Sequence, residues 1–154
     1  MKILFKPQTE WLPPEEFKDL SSYDEIAIDL ETKDPELKTM GSGSVTGRGK
    51  IVGIALAVDG WSAYYPIDHE GGGNMDKKKV MDYFRTILNY PSRKIFHNAM
   101  YDVCFIRAAG LKINGEVVDT MIAGSLVNEN RFRYDLGSMG RDYLGKGKNE
   151  AVLK

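Results

Sequence analysis

Apolar and polar residues alternate strictly near the start of the chain. Ile26, Ile28 and Leu30 fall on one side of an extended segment, and Ala27, Asp29 and Glu31 on the other, which predicts a strand with one buried face. The run Ile51 to Val58 is continuously apolar and rich in β-branched residues, the pattern of a buried central strand. Asp59-Gly60 is a hairpin turn signal, so Trp61 to Ile67 pairs back as the next strand. Beyond it the period changes: Val80, Tyr83, Phe84, Ile87 and Leu88 follow a helical repeat behind the N-cap Asp76.

Pro91 ends that helix, and Lys94 to Phe96 predicts a short strand. Asn98 is the expected N-cap of a helix through Ala109, closed by Gly110. Glu116 to Val118 is a further short strand. Asp119 or Thr120 then caps a helix to about Val127, and a last helix with Leu136, Met139 and Leu144 stops at Gly145. Upstream, Met1 to Phe5 predicts an edge strand, and Pro14 opens a short helical turn through Leu20. Lys33 to Lys50, polar and Gly-rich, reads as one long loop. Three strands followed by alternating helices and strands define an α/β class with a mixed sheet. The organisation expected is a 1–24 extension with an edge strand, then one domain over 25–154, with no internal repeat.

Composition narrows the chemistry. The 154 residues are 42% hydrophobic and 28% charged, ordinary for a globular domain. A formal net charge of −1 gives no global basic field, so a nucleic-acid partner would have to be held at a local site. Cys104 is the only cysteine, which excludes an internal disulfide and a cysteine zinc site, and the two histidines, His69 and His97, are too few for a histidine-rich centre. No apolar run approaches the roughly 18 residues of a membrane span, and the N-terminal apolar stretch is too short for a signal peptide. A reducing cytoplasmic setting without membrane contact is expected.

The acids carry the candidate chemistry. Asp29 and Glu31 project from the same side of a strand, roughly 7 Å apart along the backbone. Such a pair can bracket divalent ions, which two-metal sites hold about 3.5–4 Å apart. Mg²⁺ and Mn²⁺ favour carboxylate ligands. Asp102 lies one helical turn beyond Asn98, among Tyr101, Val103, Cys104 and Phe105. A helix dipole accounts poorly for an acid placed there.

Several motifs together resemble the 3′→5′ proofreading exonuclease domain of DNA polymerase I-type (family A) enzymes. Ile26-Ala27-Ile28-Asp29-Leu30-Glu31-Thr32 is similar to the first exonuclease motif and His97-Asn98-Ala99-Met100-Tyr101-Asp102 to the second. Val118 to Met121 resembles the helix start that follows, and Tyr143 to Asn149 a segment further on. Gly49 to Ala57, and Tyr64 to Ile67 with His69, match the family's second and third strands. The resemblance runs in order from Glu25 to about Asn149, and the long loop before Gly49 looks like phage or prophage versions.

The resemblance implies a ribonuclease H-like fold that removes nucleotides from a single-stranded DNA 3′ end with two Mg²⁺ (or Mn²⁺) ions. Asp29 would bridge both metals, Glu31 would help hold the ion that activates water, and Asp102 would act on the second. Thr32 and Asn98 would seat the terminal nucleotide. A polymerase domain would follow in a longer chain or act in trans, in a bacterial cell or phage-infected host. The family's third motif, a Tyr with an Asp four residues later on a final helix, has no match here, since Tyr134 precedes Asp135 by one and Asp142 by eight. The expectation is therefore a domain lacking its last helix, with exposed apolar sheet surface and weak or no activity as an isolated chain.

Other features weigh less. Gly41 to Gly49 lacks the Gly-Lys-Ser/Thr of a phosphate loop, and no helix is expected after it. His69 reads as a turn residue, His97 as a packed histidine, Asp119 as an N-cap, and Trp61, Tyr64 and Tyr65 as strand packing. Arg131, Arg133, Lys146 and Lys148 form a basic cluster that either touches phosphates or is a solvated face. Two alternatives stand beside the DNA exonuclease: an RNA-processing 3′→5′ exonuclease, and a non-catalytic nucleic-acid-binding module with the same fold.

Overall fold

The computed structural model describes residues 11–147. The edge strand expected over Met1 to Phe5 lies outside them, as does the end of the Tyr143–Asn149 stretch. Eleven elements follow in order: β1 (Glu25–Lys33), α1 (Leu37–Met40), α2 (Gly43–Thr46), β2 (Lys50–Val58), β3 (Trp61–Pro66), α3 (Lys77–Asn89), β4 (Arg93–Phe96), α4 (Ala99–Ala108), β5 (Val117–Asp119), α5 (Thr120–Val127) and α6 (Leu136–Leu144). They form one sheet in the order β3-β2-β1-β4-β5. The β1–β2 and β2–β3 pairs are antiparallel, whereas β1–β4 and β4–β5 are parallel. This is the expected mixed sheet. Its centre is β1 rather than β2, because β4 adds to the free edge of β1.

Alternation in β1 explains the layering. Ile26, Ile28 and Leu30 are buried, while Asp29 and Glu31 are exposed. Opposite them, Leu56 pairs with Ile28 and Ile54 with Leu30, so the apolar rows coincide. Helix α3 brings Val80, Phe84, Ile87 and Leu88 onto this face, and α4 brings Phe105 and Ile106. Asp76 caps α3 by accepting from the Lys79 N–H at 2.9 Å. The other face is thinly covered. α6 has no buried residue and α5 only Gly124, and a recess of about 480 Å³ opens between Asp29, Ala57, Tyr64, Ile95, His97 and Leu136. No described helix is long and apolar enough to cross a membrane.

Three local expectations need correction. Residues 11–20 form no helical turn. Tertiary contacts hold them instead: Phe17 stacks on Tyr65 with ring centroids 5.6 Å apart, the Tyr83 hydroxyl donates to the Lys18 carbonyl at 2.6 Å, and Leu20 is fully buried. The Lys33–Lys50 loop contains α1 and α2, folded back because Asp34 accepts from the Gly43 N–H at 2.9 Å. Gly43 and Gly49 touch backbone to backbone, an approach that a Cβ on either would block. Asn98 precedes α4 but its side chain caps nothing. Asp119 does that work from β5.

Candidate active site

β1 presents Asp29 and Glu31 from the central strand of the sheet, paired there with β2 and lying past Glu25–Ala27, where β1 pairs with β4. The β1–β2 register slips between Glu31 and Thr32: Glu31 pairs with Gly53 but Thr32 pairs with Ile51, leaving Val52 as the extra residue. The bulge follows the two acids directly. Past it, the Thr32 hydroxyl meets the Tyr101 hydroxyl at 2.9 Å, and Tyr101 donates to Asp34 at 3.1 Å. Tyr101 thus ties the end of β1 to α4 and to the loop before α2.

Asp102 comes from α4, whose buried face is Ala99, Asp102, Phe105 and Ile106. The helical period therefore drives a carboxylate inward, to 4% exposure. Burial pushes its pKa up, the charge of Asp29 adds to this, the Leu30 N–H opposes, and Glu31 and Asp119 add again, for a value of about 7. Asp29, Glu31 and Asp102 thus share one electrostatic site. Their mutual repulsion is what a divalent cation would relieve. Among the described residues no group of three or more His, Cys, Asp or Glu lies close enough together to hold a metal ion by itself. Oxygen donors open to solvent on one side suit an ion that keeps waters and takes further ligands from a phosphate.

Asn98 is the single non-glycine residue with positive φ among the described residues, at φ 66° and ψ 54°. The left-handed turn is pinned by Asp119, which accepts from the Asn98 N–H at 3.0 Å, the Ala99 N–H at 2.8 Å and the Met121 N–H at 2.8 Å. One carboxylate thus caps both α4 and α5. Burial pushes its pKa up, but four backbone N–H groups outweigh this and hold it below the usual carboxylate range. Asn98 is left exposed, with its amide free to turn to a ligand. His97 is half-buried, its Nδ1 2.9 Å from the Thr120 hydroxyl, which itself donates to the Phe96 carbonyl at 3.1 Å.

The sequence suggested strand packing for Tyr64 and a turn for His69, and singled out no role for Tyr101. Tyr64 is half-buried on β3 and its hydroxyl meets His69 Nε2 at 2.5 Å. Burial and the charges of Glu31 and Asp29 push its pKa up to about 12. Its place was readable only through the register, in which Tyr64 pairs with Ala55 and Ala55 with Asp29.

A ribonuclease H-like sheet carrying acids on its central strand and on the helix after β4 defines the class: a nuclease-type α/β domain. Residues 6–152 match the 3′-5′ exonuclease family model of the DNA polymerase A type, and the chain belongs to that family. It is 32% identical over 156 residues to a DNA-directed DNA polymerase of Pseudomonas phage M6, covering 95% of this chain. The match spans only 23% of that polymerase. Among solved structures, Brucella melitensis NrnC with bound Mg²⁺ superposes with a TM-score of 0.61 at 21% identity, covering 85% of this chain and 58% of that one. Escherichia coli RNase D, an exoribonuclease, does so with a TM-score of 0.60 at 17% identity, covering 85% of this chain and 30% of that one. Those two likenesses speak for the fold alone.

Proposed function

We propose that the chain is the proofreading-type domain of a DNA polymerase, hydrolysing phosphodiester bonds from a DNA 3′ end with two divalent metal ions. The observation that carries this is the buried Asp102, whose pKa is raised to about 7 by its burial and by the charges of Asp29 and Glu31. A fold tolerates so costly a charge where a bound cation offsets it. Asp29 and Glu31 would hold one ion, and Asp29 with Asp102 the other. Mg²⁺ or Mn²⁺ in such a site lowers the pKa of bound water and stabilises the leaving oxygen. Asn98, fixed in its left-handed turn, and Thr32, fixed by Tyr101, would seat the terminal nucleotide. DNA is preferred over RNA as substrate because the 32% identical relative is a DNA polymerase. A polymerase domain, in the same chain or in trans, would supply the primer end.

The test is release of a 3′ label from single-stranded DNA with Mg²⁺ or Mn²⁺, beside an RNA of the same sequence. Slow release, stopped by EDTA and lost in both Asp29→Ala and Asp102→Ala, is expected. Release that survives Asp29→Ala or EDTA would overturn the assignment, and faster release from RNA would overturn the choice of substrate. Metal-independent binding of DNA without hydrolysis would point to a binding module.

A further inference from the structure

Glu31 is the least anchored acid of the site. It is exposed at the end of β1, and no hydrogen bond or ion pair among the described residues restrains its carboxylate. Its cross-strand partner is Gly53. Paired residues on adjacent antiparallel strands point their side chains to the same face, with Cβ atoms roughly 5 Å apart. At Gly53 that slot is filled by Tyr64, for a Cβ there would collide with the Tyr64 ring and hydroxyl oxygen. The missing side chain lets the ring lie across β2 and bring its hydroxyl into the position beside Glu31.

The hydroxyl is held there from behind. His69 Nε2 lies 2.5 Å away, and His69 is itself clasped by Asn74, which accepts from the His69 N–H at 2.7 Å and donates to its carbonyl at 2.8 Å. Trp11 packs on the ring, with centroids 5.8 Å apart. Strand packing alone asks for none of these polar contacts. A phenylalanine would fill the same groove over Gly53.

We propose that Tyr64, fixed by His69, is a positioning residue of the metal site, supplying the hydrogen bond that holds Glu31 in its ligating orientation. In this arrangement His69 carries its proton on Nε2 and donates to the Tyr64 oxygen, which leaves the hydroxyl hydrogen for Glu31 or for a water shared with it. Outer partners of this kind orient the ligands that touch the ion. The inference rests on the metal-dependent reading given under Proposed function.

Mn²⁺ binding to the full chain, read as loss of the free-Mn²⁺ electron paramagnetic resonance signal, tests it without relying on activity. Tyr64→Phe should weaken binding about 10-fold, with the melting temperature in EDTA unchanged. His69→Ala should do the same, His69→Gln should recover part of the affinity through its amide donor, and Tyr64→Phe/His69→Ala should be no weaker than Tyr64→Phe. Wild-type affinity in Tyr64→Phe, with binding lost in Asp29→Ala, would overturn this inference and leave the metal site standing. Additive losses in the double variant would overturn the coupling through His69. No Mn²⁺ binding by the wild type, or binding retained in Asp29→Ala, would overturn the metal-dependent reading and this inference with it.

Discussion

Replacing Asp102 by asparagine should stabilise the metal-free protein at neutral pH while weakening its response to metal. The folded pKa lies near 7, against an unperturbed 3.8. At about 1.4 kcal/mol per unit, the ionised side chain costs the fold roughly 4 kcal/mol at most. Asp29 and Glu31 face solvent and are screened by salt, so about half of that, ~2 kcal/mol, is the working magnitude. The sign follows from proton linkage. The fold binds this proton more tightly than the unfolded chain, so the Asp102 contribution is intact below about pH 4 and is lost as pH rises towards about 7. Urea unfolding in EDTA at about pH 4.5 and about pH 8 should therefore show wild type losing ~2 kcal/mol more than Asp102→Asn. At the higher pH the variant should melt about 5 °C above wild type. Added Mg²⁺ should raise wild-type stability by mass action and raise that of the variant less, because only Asp29 and Glu31 remain to hold an ion. A variant less stable than wild type at the higher pH, or one with the same pH slope, would refute the reasoning.

Two further outcomes bear on the scaffold. Lys94 is fully buried, and its ammonium donates to the carbonyls of Tyr90, Ser92 and Asn114, stitching together the approaches to β4 and β5. Lys94→Met leaves these acceptors short of a donor and should cost ~2 kcal/mol in chemical denaturation. Asp119→Ala removes three backbone hydrogen bonds at the starts of α4 and α5 and should cost ~3 kcal/mol by the same assay. Asn98→Gly keeps the positive φ and should change stability by less than ~0.5 kcal/mol. It should weaken binding of a DNA 3′ end instead.

What could be read from the chain depended on how local its cause was. The alternation at Ile26, Ile28 and Leu30, the helical repeat from Val80 to Leu88 and the Asp59-Gly60 turn are short-range patterns, and the structure contains all three. Asp102 stood out because its apolar neighbours give little reason for a charge, whereas Asp29, ordinary by itself as an acid near a strand end, stood out through the family resemblance; no sequence pattern shows that one is exposed and the other buried. Residues 11–20 failed as a helical turn because their partners, Tyr65 and Tyr83, lie far along the chain. Asn98 failed as a side-chain cap because its backbone is left-handed, held so by Asp119, 21 residues later, which accepts from the Asn98 and Ala99 N–H groups. Tyr64 looked like packing because its role depends on a side chain that Gly53 lacks.

The slipped register beside Glu31 makes the site a matter of counting as well as chemistry. Val52 has no partner residue on β1, and its presence lets the ladder change step between the acid pair and Thr32. Removing Val52 would leave every carboxylate, Thr32 and Asn98 in the polypeptide and Thr32 opposite Ile51, yet would erase the bulge and the local bend it gives the strand beside the acid pair. A substitution scan keeps chain length constant and is blind to this variable. Single-residue deletions and insertions along 50–54 would expose it, and divergent relatives that keep every acid could still differ in function by one unit of length.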